Sequence, residues 1–155
     1  MSKAFTKESD DDGATEIPER EISSFPNLVT AEGLALIDAA IDKHSAAHAT
    51  ALAAGDREAA ARAARELRYW TARRNSAQVQ PPPADSGEVA FGSQVEIARE
   101  DGRRARYRIV GEDEADPARG LLSWASPLAR AMIGKGAGEE IKAGATEAVI
   151  MAISR

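Results

Sequence analysis

Arg108-Ile-Val-Gly-Glu-Asp-Glu-Ala-Asp116, followed by Ser126-Pro-Leu-Ala-Arg-Ala-Met-Ile-Gly-Lys135, is the stretch on which the fold turns. Its first half is β-branched up to Val110, halts at Gly111 and runs into a dense acidic loop, the pattern of a strand followed by a turn. Its second half opens on Ser126, a good N-cap, places Pro127 at the first helical position and stops at Gly134. A strand and one short helix are therefore expected side by side. Around them the sequence alternates with a period of two over Glu88–Phe91, Gln94–Ala98, Ala105–Val110 and Leu121–Trp124. Asp101-Gly102 is a hairpin turn between two of these runs. Glu139–Lys142 and Ala148–Ile153, around Gly144, supply closing strands. Residues 87–155 thus predict a small antiparallel sheet with one helix packed on it.

Upstream the period changes. Thr30 is a candidate N-cap and Glu32 lies in the first turn, where the helix dipole favours an acid. Leu34, Ile37, Ile41, His44, His48 and Ala51 then recur at three-to-four spacing. Gly55 can end that helix and Asp56 can cap the next. A second seam follows through Ala60, Ala63, Leu67, Trp70, Arg74 and Ala77. Two seams joined by a short turn predict an antiparallel αα-hairpin of coiled-coil type over 26–79. The fold class is α+β. Pro81-Pro82-Pro83 cannot continue a helix, so 80–86 reads as a proline linker. Residues 1–25 are polar and acidic, with Asp10-Asp11-Asp12, and read as a flexible acidic tail.

Bulk properties exclude some classes. The formal net charge is −5, which disfavours a protein that coats duplex DNA. The chain has no cysteine, so thiolate metal sites and disulfides are out. No apolar run approaches the ~20 residues that span a bilayer, and the N-terminus holds no apolar signal region. A cytoplasmic location is expected, with no membrane partner. Only 5% of residues are aromatic against 43% hydrophobic, so the core is expected to be aliphatic.

The order of motifs resembles the C-terminal domain of the bacterial Gre transcription elongation factors, GreA and GreB. The family's Phe-Gly-Ser turn matches Phe91-Gly92-Ser93. Its Ile-Val-Gly strand end and acidic loop match Ile109 to Asp116. Its Ser-Pro helix start matches Ser126 to Arg130, with Ile133-Gly134-Lys135 after it. The resemblance implies an FKBP-like fold that binds RNA polymerase at the rim of its secondary channel. The implied polymerase-binding residues are Ser126, Pro127, Leu128 and Arg130. Pro26 to Gly33 is similar to the family's Pro-Met-Thr-x-x-Gly start of the hairpin, and Ser76-Ala-Gln-Val79 to its exit.

The hairpin tip departs from the family pattern. Gre factors carry Gly-Asp-hydrophobic-Ser-Glu-Asn-Ala-Glu-Tyr there, and its two acids hold a magnesium ion of the polymerase. Here the stretch is Gly55-Asp56-Arg57-Glu58-Ala59-Ala60-Ala61-Arg62-Ala63. Asp56 matches the first acid, Ala59 stands at the second, and Glu58 is one residue early. One residue turns a helical side chain by ~100°, and magnesium demands strict octahedral geometry. Asp56 and Glu58 are the candidate metal residues, for magnesium shared with the polymerase; no cofactor of the chain's own is expected. As a plain helix start, the same pair is an N-cap and a dipole partner. The arms are also shorter than in typical Gre hairpins, as in the short-hairpin relative Rnk, by an amount worth ~12 Å of reach.

Arg62, Arg65, Tyr69 and Arg73 share one quarter of the second helix. They read either as a stripe that contacts nascent RNA or a channel wall, Arg62, Arg65 and Arg73 being the contacts, or as a solvated face. His44 and His48 at i and i+4 can bind a metal only with a third ligand, and none is evident. The expected function is a non-enzymatic polymerase-binding factor that puts a shortened hairpin into the secondary channel to modulate elongation, with weak or no transcript cleavage. The alternatives are a true cleavage factor using Asp56 and Glu58, and a prolyl isomerase-like enzyme, disfavoured because only Phe91, Tyr107 and Trp124 are available to wall its pocket. A hairpin that pairs with another helix or with itself is a third class.

Overall fold

The computed structural model describes residues 17–155. Helix α1 spans Ala31–Ala53 and α2 spans Arg57–Ser76. Thr30 is extended and its Oγ1 accepts from the Gly33 N–H at 2.9 Å, so it caps α1. The far end is a Schellman motif. Gly55 adopts φ +69°, its N–H donates to Leu52 O at 3.1 Å, and the Asp56 N–H donates to Ala51 O at 3.0 Å. Asp56 then turns extended and accepts from the Ala59 N–H at 3.0 Å, capping α2. At ~1.5 Å per residue the arms are about 35 and 30 Å long.

The seam is narrow. Ile37, Ala51, Ala60 and Ala63 are buried in it, while Leu34, Ile41, His44, His48, Leu67 and Trp70 are half-buried. His44 faces an acid across the seam, with Nε2 3.8 Å from Glu66 Oε2. The expected seam fails at its base, where Arg74 is exposed and paired with Asp38 at 2.7 Å. Arg73 is buried instead. Helix α2 turns a third face towards the C-terminal domain there, and a two-helix heptad has no place for such a face.

The two ends of the hairpin are tied by a feature with no sequence period. Strands β1 (Leu28–Val29) and β2 (Gln78–Val79) pair in parallel. The Gln78 N–H donates to Asn27 O at 2.8 Å and the Gln80 N–H to Val29 O at 2.9 Å. From Gln80 the prolines lead to the C-terminal domain. There Gly92, at φ +87°, lets Pro83 approach so closely that a Cβ would lie 3.2 Å from its Cδ.

The C-terminal sheet comprises β3 (Gln94–Arg99), β4 (Arg104–Val110), β5 (Leu121–Ser123), β6 (Glu140–Ala143) and β7 (Thr146–Ser154), in the order β5-β4-β3-β7-β6. Three pairings are antiparallel, and β3–β7 carries a register shift at Glu96/Ile97. The fourth differs from the expected all-antiparallel sheet: β5 runs parallel to β4. The connection 111–120 is long enough to bring Leu121 back beside Arg108, so β5 pairs with the last three residues of β4 in the same direction. Glu88–Phe91, expected as a strand, is only a bridge from Glu88 to Gly136 with the Val89 N–H donating to Lys135 O at 2.9 Å. Helix α3, Pro127–Met132, packs on the sheet. The core is aliphatic, as composition predicts: Val95, Ile97, Ile109, Met132 and Ile150 are fully buried, and Phe91, Tyr107 and Trp124 pack at its margin.

Residues 1–16 of the acidic tail lie outside the described residues. For 17–25 the structure differs from a flexible tail. Arg20 donates to Glu66 at 2.8 Å, Glu19 pairs with Arg68, and Ser23 donates to Glu112 at 2.8 Å. The sequence reading missed these partners because they come from α2 and the acidic loop, both remote in the chain.

Candidate functional site

The acidic loop after β4 is where the two halves meet. Asp113 is its centre: Tyr69 Oη donates to Asp113 Oδ1 at 2.5 Å and Arg73 Nε donates to Oδ2 at 2.6 Å. The Arg73 side chain is 2% exposed and that of Asp113 10%. A buried guanidinium needs its charge and its donors matched. Arg73 Nη2 accordingly donates to Asn27 Oδ1 at 2.8 Å, and Asn27 Nδ2 donates back to Arg73 O at 2.8 Å near the end of α2. Glu112 stands 3.6 Å from Arg73 Nη2, a charge neighbour beyond hydrogen-bonding distance.

Glu114 completes the clamp on α1. Thr30 Oγ1 donates its one proton to Glu114 Oε2, which leaves a lone pair for the Gly33 N–H. Two glycines make room. A Cβ on Gly33 would lie 2.8 Å from Glu114 Oε2, and one on Gly111 would lie 2.5 Å from the Leu28 carbonyl oxygen. The Tyr69 phenol is pushed up to about 12, first by burial and then by the bond to Asp113 and its charge.

This geometry corrects the arginine stripe. Arg73 is consumed by the clamp and is not open to RNA or a channel wall. Tyr69 is half-buried beneath Arg20, whose guanidinium carbon lies 3.6 Å from the ring centroid. Arg62 is exposed but donates to Glu58 at 2.6 Å. Arg65 is half-buried, and its Nε finds no acceptor among the described residues.

At the tip, Asp56 and Glu58 have separate partners. The Asp56 carboxylate takes the Ala59 N–H, and the Glu58 carboxylate takes Arg62 one turn on. Each acid already has a protein donor of its own, Asp56 at Oδ1 and Glu58 at Oε1. Among the described residues no three His, Cys, Asp or Glu side chains gather as metal ligands.

The Ser126–Pro127 loop presents a different surface. Ser126 Oγ accepts from the Ala129 N–H at 3.3 Å and Pro127 opens α3. Pro127 and Arg130 are exposed, Ser126 and Leu128 half-buried, and Ile133 is 38% exposed. Phe25 joins them: its ring meets Trp124 edge-on at 5.8 Å, and Arg130 lies 5.9 Å from its centroid. Phe25, Asn27, Gly33 and Gly111 are the site residues to which sequence reasoning gave no role of their own. The closest signal was the pair of glycines, each beside a motif.

Comparison with known proteins agrees with the sequence motifs. Residues 84–154 match the family described as transcription elongation factor GreA/GreB, C-terminal. GreB of Pasteurella multocida is 46% identical over 79 residues, 50% of this chain and 50% of that protein. GreA of Alkalilimnicola ehrlichii is 50% identical over 68 residues, 42% of this chain and 43% of that one. The chain thus spans about half the length of the curated relatives it matches. Among solved structures, the GreA factor homolog 1 (Gfh1) protein of Thermus thermophilus is matched over 84% of this chain and 100% of its own, at 19% identity and a TM-score of 0.42. Residues 84–154 thus match a GreA/GreB-type C-terminal domain, and over that half the chain is similar to the Gre-type factors.

Proposed function

We propose that the chain is an RNA polymerase-binding elongation factor that uses its hairpin as a channel-filling arm rather than as a carrier of magnesium. Docking is assigned to the surface of Ser126, Pro127, Leu128 and Arg130 at the secondary-channel rim. The GreA and GreB relatives matched over the C-terminal half support that assignment. Pro127 and Arg130 offer an exposed apolar and cationic contact on a well-capped helix, a stable base for a partner.

The tip carries the second part of the reading. Asp56 serves the helix start and Glu58 its neighbour Arg62. Recruiting both carboxylates to one ion would break the cap and the i,i+4 pair together. Stalled elongation complexes test this. The protein is expected to bind polymerase and compete with an authentic cleavage factor, leaving transcripts at full length. Shortened transcripts that disappear in Asp56→Ala would overturn the non-cleaving reading and establish the cleavage factor. Unchanged polymerase binding by a Pro127→Asp, Arg130→Glu variant would remove the assigned docking surface.

A further inference from the structure

Residues 17–25 lie across both halves of the molecule and are held by side chains alone. Glu19 takes Arg68 with both carboxylate oxygens, each 3.0 Å from Nε. The Arg68 hydrogen bond holds the Glu19 carboxyl below its usual range. Arg20 stacks on Tyr69 and donates to Glu66 at 2.8 Å. Ser23 reaches Glu112, and Phe25 reaches Trp124. Among the described residues, no backbone–backbone hydrogen bond ties 17–25 to either half.

The contrast with the clamp is informative. Asp113 meets Arg73 where both are buried, and an outside anion cannot replace it without taking the halves apart. Glu19 meets Arg68 in the open, with side chains 59% and 57% exposed. A lone exposed ion pair contributes little and weakens in salt. The segment thus adds a carboxylate to the arginine face of α2 through one exposed ion pair, Glu19–Arg68, which a competing anion can replace. Beside it, Arg65 still has an unmatched Nε.

We propose that residues 17–25 are a displaceable strap that lies on the basic face of α2 as an internal ligand, so that an outside polyanion competes with Glu19 for Arg68 and gains Arg65 as the strap lifts. The partner class is a polyanion, recognised by two guanidinium groups, and the strap is its competitor within the same chain. The inference does not depend on polymerase binding, because both ligand and face belong to one chain.

Limited trypsin digestion of the full chain tests it. Cleavage after Arg20 requires the strap to lift. Cleavage after Arg103, in the exposed turn between β3 and β4, serves as a control for general opening. In wild-type protein at low salt, the Arg20 cut is expected to be slow relative to the same cut in Arg68→Glu. Arg68→Glu sets two carboxylates against each other and is expected to speed the Arg20 cut about fivefold or more, the factor that one exposed pair at the top of its range supplies. About 1 M salt, where screening reaches ~3 Å, should do the same in wild type. Heparin, as the polyanion probe, should speed the Arg20 cut at low salt without speeding the Arg103 cut. An Arg20 rate indifferent to Arg68→Glu or to heparin, or an Arg103 rate that rises alongside it, would overturn the proposal.

Discussion

The Arg73 guanidinium is a cation whose side chain is 2% exposed. Its stability therefore rests on Asp113, Asn27 and the neighbouring Glu112. Removing one partner of a buried pair strands the other, at a cost of about 3–5 kcal/mol. Arg73→Leu should lower the unfolding free energy by an amount in that range, read from urea denaturation. Arg73→Leu with Asp113→Asn should recover part of the loss, since the stranded charge is then gone. Tyr69 adds a pH dependence with a definite sign. Its folded pKa is about 12, above the ordinary ~10 of a free phenol. Its contribution is fully present below pH ~10 and is lost as the pH rises from there through about 12. Tyr69→Phe should abolish that alkaline loss when stability is followed against pH. Sequence alone put Arg73 and Tyr69 on an open stripe, because helical periodicity says which residues share a face and is silent on what covers it.

At the scale of elements, local chemistry was largely decisive. Thr30, Gly55, Asp56 and Ser126 each cap or stop a helix where their residue types predict. Gly55 is the sharpest case. A Cβ placed on it would meet no heavy atom within 4 Å, yet its φ is +69°. Gly55→Ala therefore makes no steric clash and pays only for the left-handed backbone, a destabilisation of about 1 kcal/mol. A thermal melt should show it as a modest fall in midpoint with the fold retained. The errors at this scale were of another kind. The β1–β2 pair is two residues long on each side, too short for any period to register. The parallel placement of β5 follows from the return path of 111–120, which strand patterning does not encode.

For the whole molecule, the arrangement of the halves depends on backbone contact as well as on charge. Gly111 faces the Leu28 carbonyl, where a Cβ would fall at 2.5 Å. Neither atom belongs to a side chain that can swing aside. Gly111→Ala should thus push β1 and the hairpin base off the C-terminal domain, at about 1–3 kcal/mol as for an overpacked site. Scanning calorimetry should report a lower or divided transition, while the sheet core around Ile97 and Ile109 is untouched. By itself the sequence determined the α+β composition of the fold, the helix ends, the aliphatic core and the Gre-type C-terminal domain. The first three rest on local residue types and short-range periods, and the last on the resemblance of three ordered motifs. Only the tertiary structure decided that Arg73 is a buried anchor, that Asp56 and Glu58 serve separate partners, and that 17–25 rests on α2. Each depends on a contact between segments far apart in the chain, where charge and packing choose the partner and sequence spacing has no say.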